Sequence, residues 1–148
     1  AFKAKHLTTT AKSSDSWEYY HDMLGYNFRM PNLNASLGCA QLEQIHKFIV
    51  NKKKLYEFYC QNVSNIGYKV VPFPKGTNWN YWLISLELEN KRERDLFLKE
   101  SNLNGVMTRP IWTLLFKLPM YKDCQRDNQK NALILESKIV NIPSSARL

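Results

Sequence analysis

The fold is decided by residues 19–44, which read YYHDMLGYNFRMPNLNASLGCAQLEQ. Gly25 and Pro31 bracket a loop that carries an amide, Asn27, and a guanidinium, Arg29, just before a helical pattern begins. Such donors beside a helix N-terminus favour an anion such as phosphate or carboxylate. The alternative is that Asn27 satisfies a turn and Arg29 forms a surface ion pair, because turns favour asparagine in any case. The residues by themselves leave both interpretations open.

A long helix is predicted from Leu33 to Asn62, because apolar residues recur there with helical spacing. Pro31 is compatible with a helix start, and we predict that Asn32 or Asn34 is the N-cap. The first turns are rich in small residues and include Gly38, although glycine costs about 1 kcal/mol relative to alanine inside a helix. They indicate either the close approach of another backbone or ordinary helix packing.

The rest of the chain alternates short strands with helices. Residues 1–18 are predicted to be irregular. Apolar alternation predicts that Trp82, Ile84, Leu86 and Leu88 share one face of a strand, and Asn90 is a predicted helix cap. Strands are predicted at 68–71, 79–88 and 106–109, a short closing strand and turn at 140–145, and helices at 91–102 and 127–138. This order predicts an α+β fold, with a small, mostly antiparallel sheet and helices on one side.

Composition narrows the classes of protein. The chain has 148 residues, and 21 basic against 13 acidic residues give a net charge of +8. The run Lys52-Lys53-Lys54 is typical of a solvated helix face, and without a recognition motif nucleic acid is not an expected partner. Three widely spaced cysteines form neither a disulfide framework nor a zinc pattern, which fits a reducing cytoplasm. The chain has no apolar run long enough to predict a membrane span.

Common catalytic motifs are absent. The chain has no glycine-rich phosphate loop and no Gly-x-Ser-x-Gly elbow. His6, His21 and His46 lack the spacing of metal ligands, so no metal site is expected. Acidic side chains such as Glu93 stand beside basic ones, as on an ordinary solvated helix. The residues therefore predict no catalytic group, only a loop suited to an anion.

Several segments together resemble one enzyme family. They are HLTTTAK at 6–12, GYNFRMPNLNA at 25–35, GCAQLE at 38–43, GVMTRPIW at 105–112, KLPMY at 117–121 and NIPSS at 141–145. The combination resembles the DegT/DnrJ/StrS family of sugar aminotransferases, which depend on pyridoxal 5'-phosphate (PLP) and have fold type I. Within this family it most resembles the LegC-type branch, which aminates nucleotide-linked keto-sugars.

The resemblance implies a function and a set of residues. Family members are homodimers that move an amino group from glutamate to a keto-sugar, with active sites at the subunit interface. Asn27 matches the position that reaches the PLP phosphate of the partner subunit. Arg29 is a candidate for binding the donor carboxylate or for structuring its loop. Arg109 and Trp112 are expected either to border the substrate pocket or to serve as a strand-end ion pair and a core indole.

The resemblance also implies a division of the chain. Residues 1–32 match an interface and active-site loop, and 33–148 match the C-terminal α+β domain. The large domain and its Schiff-base lysine precede the region that matches Ala1, so this chain alone is not expected to bind PLP or transaminate. The alternative is a stand-alone, non-enzymatic basic binding domain or a decayed gene product.

Overall fold

The computed structural model describes residues 1–13 and 19–147, which form two compact units, 1–45 and 46–148. The helices are α1 (Phe2–Thr8), α2 (Asn32–Val63), α3 (Lys91–Leu103) and α4 (Lys130–Lys138). The strands are β1 (Lys69–Val70), β2 (Ile84–Glu87), β3 (Arg109–Pro110) and β4 (Ile139–Ile142). Short 3₁₀ turns occur at Ser64–Ile66, Leu115–Lys117 and Pro119–Tyr121. The proposed division at residue 32 remains a prediction about the domains of the whole protein.

The sheet of the second unit is antiparallel throughout, with the strand order β1-β2-β4-β3. The last strand in the chain is therefore central, and Ile84 of β2 pairs with Ile142 of β4. Pro110 lies on the edge strand β3, where a residue without an N–H is tolerated. The predicted α+β fold is confirmed.

One face of this sheet carries the hydrophobic core. Ile84, Leu86 and Leu88 alternate inward along the chain at β2, and Val140 of β4 is fully buried beside them. Helices α2 and α3 pack against this core through half-buried side chains: Leu55, Tyr56, Tyr59, Cys60 and Val63 from α2, and Phe97 and Leu98 from α3. Burial, with a smaller contribution from a hydrogen bond to Cys60, raises the pKa of Tyr56 to about 12.

Two predicted helices have close to their predicted bounds. Helix α2 spans the predicted residues and one more at each end. Asn90 caps α3 through its side chain, which accepts a hydrogen bond of 3.0 Å from the Glu93 N–H. The predicted cap of α2 is wrong, because Asn32 and Asn34 both lie inside the helix, whose first hydrogen bond joins Ala35 N–H to the Pro31 carbonyl.

Other local predictions were wrong in part. Residues 2–8 form a helix instead of an irregular segment, although its N-terminus lacks a side-chain cap. Residues 14–18 of that segment lie outside the described ones. The strand predicted at 79–88 is limited to β2, because Tyr81 is left-handed (φ 56°) and Trp82 is exposed. Helix α4 begins only at Lys130, because Gln129 is also left-handed. Phe97 faces the core as predicted, but Leu96 and Leu103 are exposed.

Candidate functional site

The loop before α2 is held against the N-terminal segment by main-chain hydrogen bonds. The N–H of Tyr26 donates to the Leu7 carbonyl at 2.7 Å, and that of Phe28 donates to the Thr8 carbonyl at 2.9 Å. In return, the Thr10 N–H donates to the Tyr26 carbonyl at 3.0 Å. The loop is thus fixed by short strand-like pairing, although neither segment forms a full strand.

The segment opposite the loop has an unusual backbone. Thr10 (φ 71°) and Ala11 (φ 49°) are both left-handed, a conformation that few non-glycine residues adopt. Ala11 is fully buried, and Gly25 lies directly against this turn. A Cβ on Gly25 would stand 2.4 Å from the carbonyl carbon of Thr10 and 2.5 Å from the Ala11 nitrogen. Glycine is therefore required at position 25 by close approach of the backbone.

Asn27 and Arg29 form a clamp around Thr9. Asn27 pairs with Thr9 in an antiparallel bridge, and its Oδ1 accepts the Arg29 N–H at 3.3 Å. The Arg29 guanidinium crosses back and donates to the Thr9 carbonyl at 3.1 Å. Among residues 1–13 and 19–147, the Asn27 Nδ2 group donates no hydrogen bond. The clamp therefore fixes the backbone of Asn27 while its amide N–H groups stay available to a ligand.

A basic pocket lies in the same unit. It has a volume of about 530 Å³ and is lined by residues that include Lys3, Lys5 and Lys12. Its acidic member, Asp22, is engaged by the His6 ring, whose Nε2 lies 2.6 Å from Oδ1 of Asp22. The lysines give this region an excess of positive charge, which favours anions such as phosphate.

The donor set of this unit fits a phosphate group. A phosphate is bound by N–H donors and cations held on a rigid frame. Asn27 offers the amide, the Arg29 contact with Thr9 supplies the frame, and the lysines line a pocket that also includes Thr9. Among the described residues, no group of histidine, cysteine and acidic side chains is suited to a metal. The hydrogen-bond donors and lysines of this unit are therefore of the kind that binds anions.

The other two predicted site residues lie in the second unit. Arg109 is exposed on edge strand β3, and its Nη2 lies 3.8 Å from the Met107 sulfur. Trp112 is 68% exposed, so it is not a core indole. Its ring lies 5.9 Å from that of Trp82, measured between centroids. Arg109 and Trp112 thus remain available for a ligand.

Sequence reasoning missed three members of these groups. Thr9 receives the Arg29 guanidinium, and His6 pairs with Asp22 across sixteen positions. Trp82 was predicted to share a strand face with Ile84, whereas Ile84 is fully buried and Trp82 is 63% exposed with its ring beside that of Trp112. The left-handed backbone of Tyr81, just before Trp82, distinguishes an exposed Trp82 from one on the predicted strand face. Nothing in the local sequence predicts that conformation.

Solved structures identify the class of fold. The chain superposes on the aminotransferase TlmJ from Streptoalloteichus hindustanus with a TM-score of 0.83 and 20% identity, over 97% of this chain and 39% of TlmJ. The aminotransferase PseC of Helicobacter pylori gives a TM-score of 0.82 at 18% identity, over 99% of this chain and 41% of PseC. The fold is therefore one found in aminotransferases.

Sequence comparison identifies the family. The family model for DegT/DnrJ/EryC1/StrS aminotransferases matches residues 1–148, and the chain belongs to that family. It is 33% identical over 132 residues to GDP-perosamine synthase of Vibrio cholerae, covering 85% of this chain and 35% of that protein. The corresponding protein of Escherichia coli O157:H7 is 32% identical over 106 residues, covering 72% and 29%. The chain spans about a third of the length of the curated relatives it matches. The predicted family is confirmed.

Proposed function

We propose that the protein is a PLP-dependent aminotransferase that transfers an amino group from glutamate to a nucleotide-linked keto-sugar. Family membership along the whole chain supports an aminotransferase, and relatives described as GDP-perosamine synthases support a sugar nucleotide as substrate. A LegC-type preference, a homodimer and a cytoplasmic location belong to the same proposal. Among the described residues, no helix is long and apolar enough to cross a bilayer.

Asn27 carries the proposal for this chain. Its amide would hold the cofactor phosphate of the partner subunit, in the manner that the open Nδ2 group and the basic surroundings support. When bound, PLP carries the amino group between donor and acceptor. The contribution of this chain is to bind and orient, because a phosphate held by fixed donors keeps the reactive end of the cofactor in place.

The contacts of Arg29 favour one of its two proposed roles. Its guanidinium donates to the Thr9 carbonyl, and its N–H donates to Asn27. Arg29 would therefore act chiefly by positioning Asn27, with any contact to the donor carboxylate made by its remaining N–H groups. Arg109 and Trp112 would contribute to the substrate pocket from the second unit. The alternative of a non-enzymatic binding domain is not favoured, because the family model matches the whole chain.

The experiment uses the protein expressed from its complete gene and has two parts, a PLP titration and a subunit complementation. Asn27→Ala should weaken PLP affinity roughly 10- to 150-fold, as loss of a hydrogen bond to a charged group does. Asn104→Ala is the matched control, because Asn104 is an exposed asparagine bonded to the end of its own helix. PLP affinity is measured by absorbance titration after removal of the cofactor.

The same variant tests whether Asn27 acts across the interface. Asn27→Ala subunits are unfolded and refolded with subunits that lack the cofactor-binding lysine expected in the large domain, and activity is assayed at a PLP concentration that fills intact sites but not Asn27→Ala sites. If Asn27 serves the partner's site, each mixed dimer has one intact site, and about a quarter of wild-type activity returns. If Asn27 serves its own subunit, mixed dimers have no intact site and no activity returns. The second result contradicts the proposed arrangement.

A further inference from the structure

Trp82 and Trp112 form an exposed pair of aromatic rings in the second unit. Their centroids are 5.9 Å apart and their planes are inclined by 43°. The two side chains are 63% and 68% exposed. Indole rings bring a large favourable free energy when buried, so two of them together at the surface indicate that a ligand or another part of the protein binds there.

The backbone holds Trp82 in this exposed position. Tyr81, the residue before it, is left-handed (φ 56°), and its own side chain is buried against Tyr56 and Trp79. The Asn80 side chain accepts the Trp82 N–H at 3.0 Å. A left-handed tyrosine is strained, and such strain is typical of functional sites. The exposure of Trp82 is thus fixed by the backbone conformation and hydrogen bonding of its neighbours.

One cation contacts the pair, and a second is close to it in the sequence. Lys52 donates through Nζ to the Trp82 carbonyl at 3.4 Å and to the Ser144 carbonyl. Arg109 precedes Trp112 by three residues on edge strand β3 and is exposed. Neither cation forms a salt bridge with any residue in the described parts of the chain. A ligand with a planar ring and negative charge therefore matches the surface better than an uncharged apolar partner does.

We propose that Trp82 and Trp112 are a stacking platform for the base of the nucleotide-linked substrate, with Arg109 as a cation for its phosphates. This inference rests on the proposed function, which supplies the substrate class. Bases stack on aromatic side chains whatever their sequence identity, because every base has a π face. The platform would bind any base, and specificity for one base would come from other contacts.

The test measures the binding of GDP, UDP and inorganic pyrophosphate by calorimetry, with the protein expressed from its complete gene. Trp82→Leu and Trp112→Leu should each weaken binding of the tighter nucleotide roughly 5- to 150-fold, as loss of one base–aromatic stack does. Pyrophosphate affinity should stay unchanged, because it has no base. Leu103→Ala is the control, because Leu103 is an apolar residue exposed to a similar degree at 71%.

Further variants keep the test decisive if a leucine variant fails to fold. Trp82→Phe and Trp112→Phe retain a ring, so they should keep nucleotide affinity within about threefold of wild type. Phenylalanine variants that lose nucleotide and pyrophosphate binding equally would overturn the inference, because the rings would then not be reading the base.

The outcomes separate this inference from the proposed function. Unchanged nucleotide affinity in the leucine variants, with amination of a sugar nucleotide intact, overturns the platform and leaves the proposed function standing. Dissociation of a dimer with unchanged nucleotide affinity assigns the pair to a subunit contact and also overturns the platform. A wild-type protein that neither binds a nucleotide nor aminates a nucleotide-linked sugar overturns both.

Discussion

The two units of the chain are stabilised by different interactions. Among its described residues, the first unit buries one hydrophobic side chain, that of Ala11, and main-chain hydrogen bonds hold its loop. The second unit has a continuous apolar core, built on Ile84, Leu88 and Val140. Apolar burial supplies most of the free energy of folding, whereas hydrogen bonds define geometry more than they add net stability. Hydrogen bonds therefore fix the loop geometry of the first unit, whereas apolar burial stabilises the second unit.

The largest effect is expected from a cavity in the second unit. Ile84→Ala should lower the free energy of unfolding by about 2 to 5 kcal/mol, because Ile84 is fully buried in the core. Urea unfolding of the purified protein, followed by circular dichroism, measures the change. Leu103→Ala is the control and should change it by less than about 0.5 kcal/mol, since Leu103 is exposed. Equal losses in the two variants would contradict the assigned core.

A smaller effect is expected from crowding in the first unit. Gly25→Ala places a methyl group 2.4 Å from the Thr10 backbone, and the overlap should cost about 1 to 3 kcal/mol. Hydrogen exchange of the Tyr26 and Phe28 amides should accelerate, because both donate to the segment that must move. Amides of the sheet should be unaffected, as the second unit has its own core. Retained protection at both loop amides would refute the close approach.

Gly38→Ala is the matched glycine control for that experiment. A Cβ on Gly38 has no neighbour within 4 Å among the described residues, and Gly38 lies inside helix α2. We expect a gain of about 0.5 to 1 kcal/mol from helix propensity. A loss instead would indicate that a second backbone packs on the small-residue surface, which is the alternative that the sequence left open.

The last prediction concerns an ion pair of the second unit and depends on pH. Glu136 accepts the Leu114 N–H at 3.3 Å and pairs with Lys117. Partial burial would raise the pKa of Glu136, but these hydrogen bonds outweigh it and hold the pKa below its usual value of 4.5. Glu136→Gln should therefore cost about 1 to 2 kcal/mol at pH 7.

The cost should shrink as the pH falls below 4.5, because the glutamate is then protonated in the unfolded and finally in the folded protein. Urea unfolding at pH 7 and at pH 3 measures the difference. Glu100→Gln is the control, because Glu100 is an exposed glutamate on α3. A Glu136→Gln cost that stays the same at pH 3 would show that the charge does not stabilise the fold.

The sequence predicted the elements whose signals are local. The apolar period of α2 and the asparagine cap of α3 each depend on residues a few positions apart. Helix α1 was missed because it is short, has no side-chain cap at its N-terminus and buries no residue. Its neighbours stabilise it through backbone contacts with the loop, which no periodicity records.

The candidate site residues likewise divide into those with local sequence signals and those that depend on distant contacts. Asn27 and Arg29 were recognisable as a polar loop between a glycine and a proline. The Arg29 contact with Thr9 joins residues twenty positions apart, and the contact of Trp82 with Trp112 depends on the left-handed backbone at Tyr81. Both are consequences of folding, because each brings together residues that are far apart in the chain.

The position of β4 affects how the protein is made. This strand lies between β2 and β3, although it is the last of the four to leave the ribosome. Until residues 139–142 have been synthesised, β2 and β3 have no shared neighbour and present open edges that invite pairing with other chains. Synthesis that stops shortly before residue 139 therefore removes the centre of the sheet, and the truncated product is expected to aggregate.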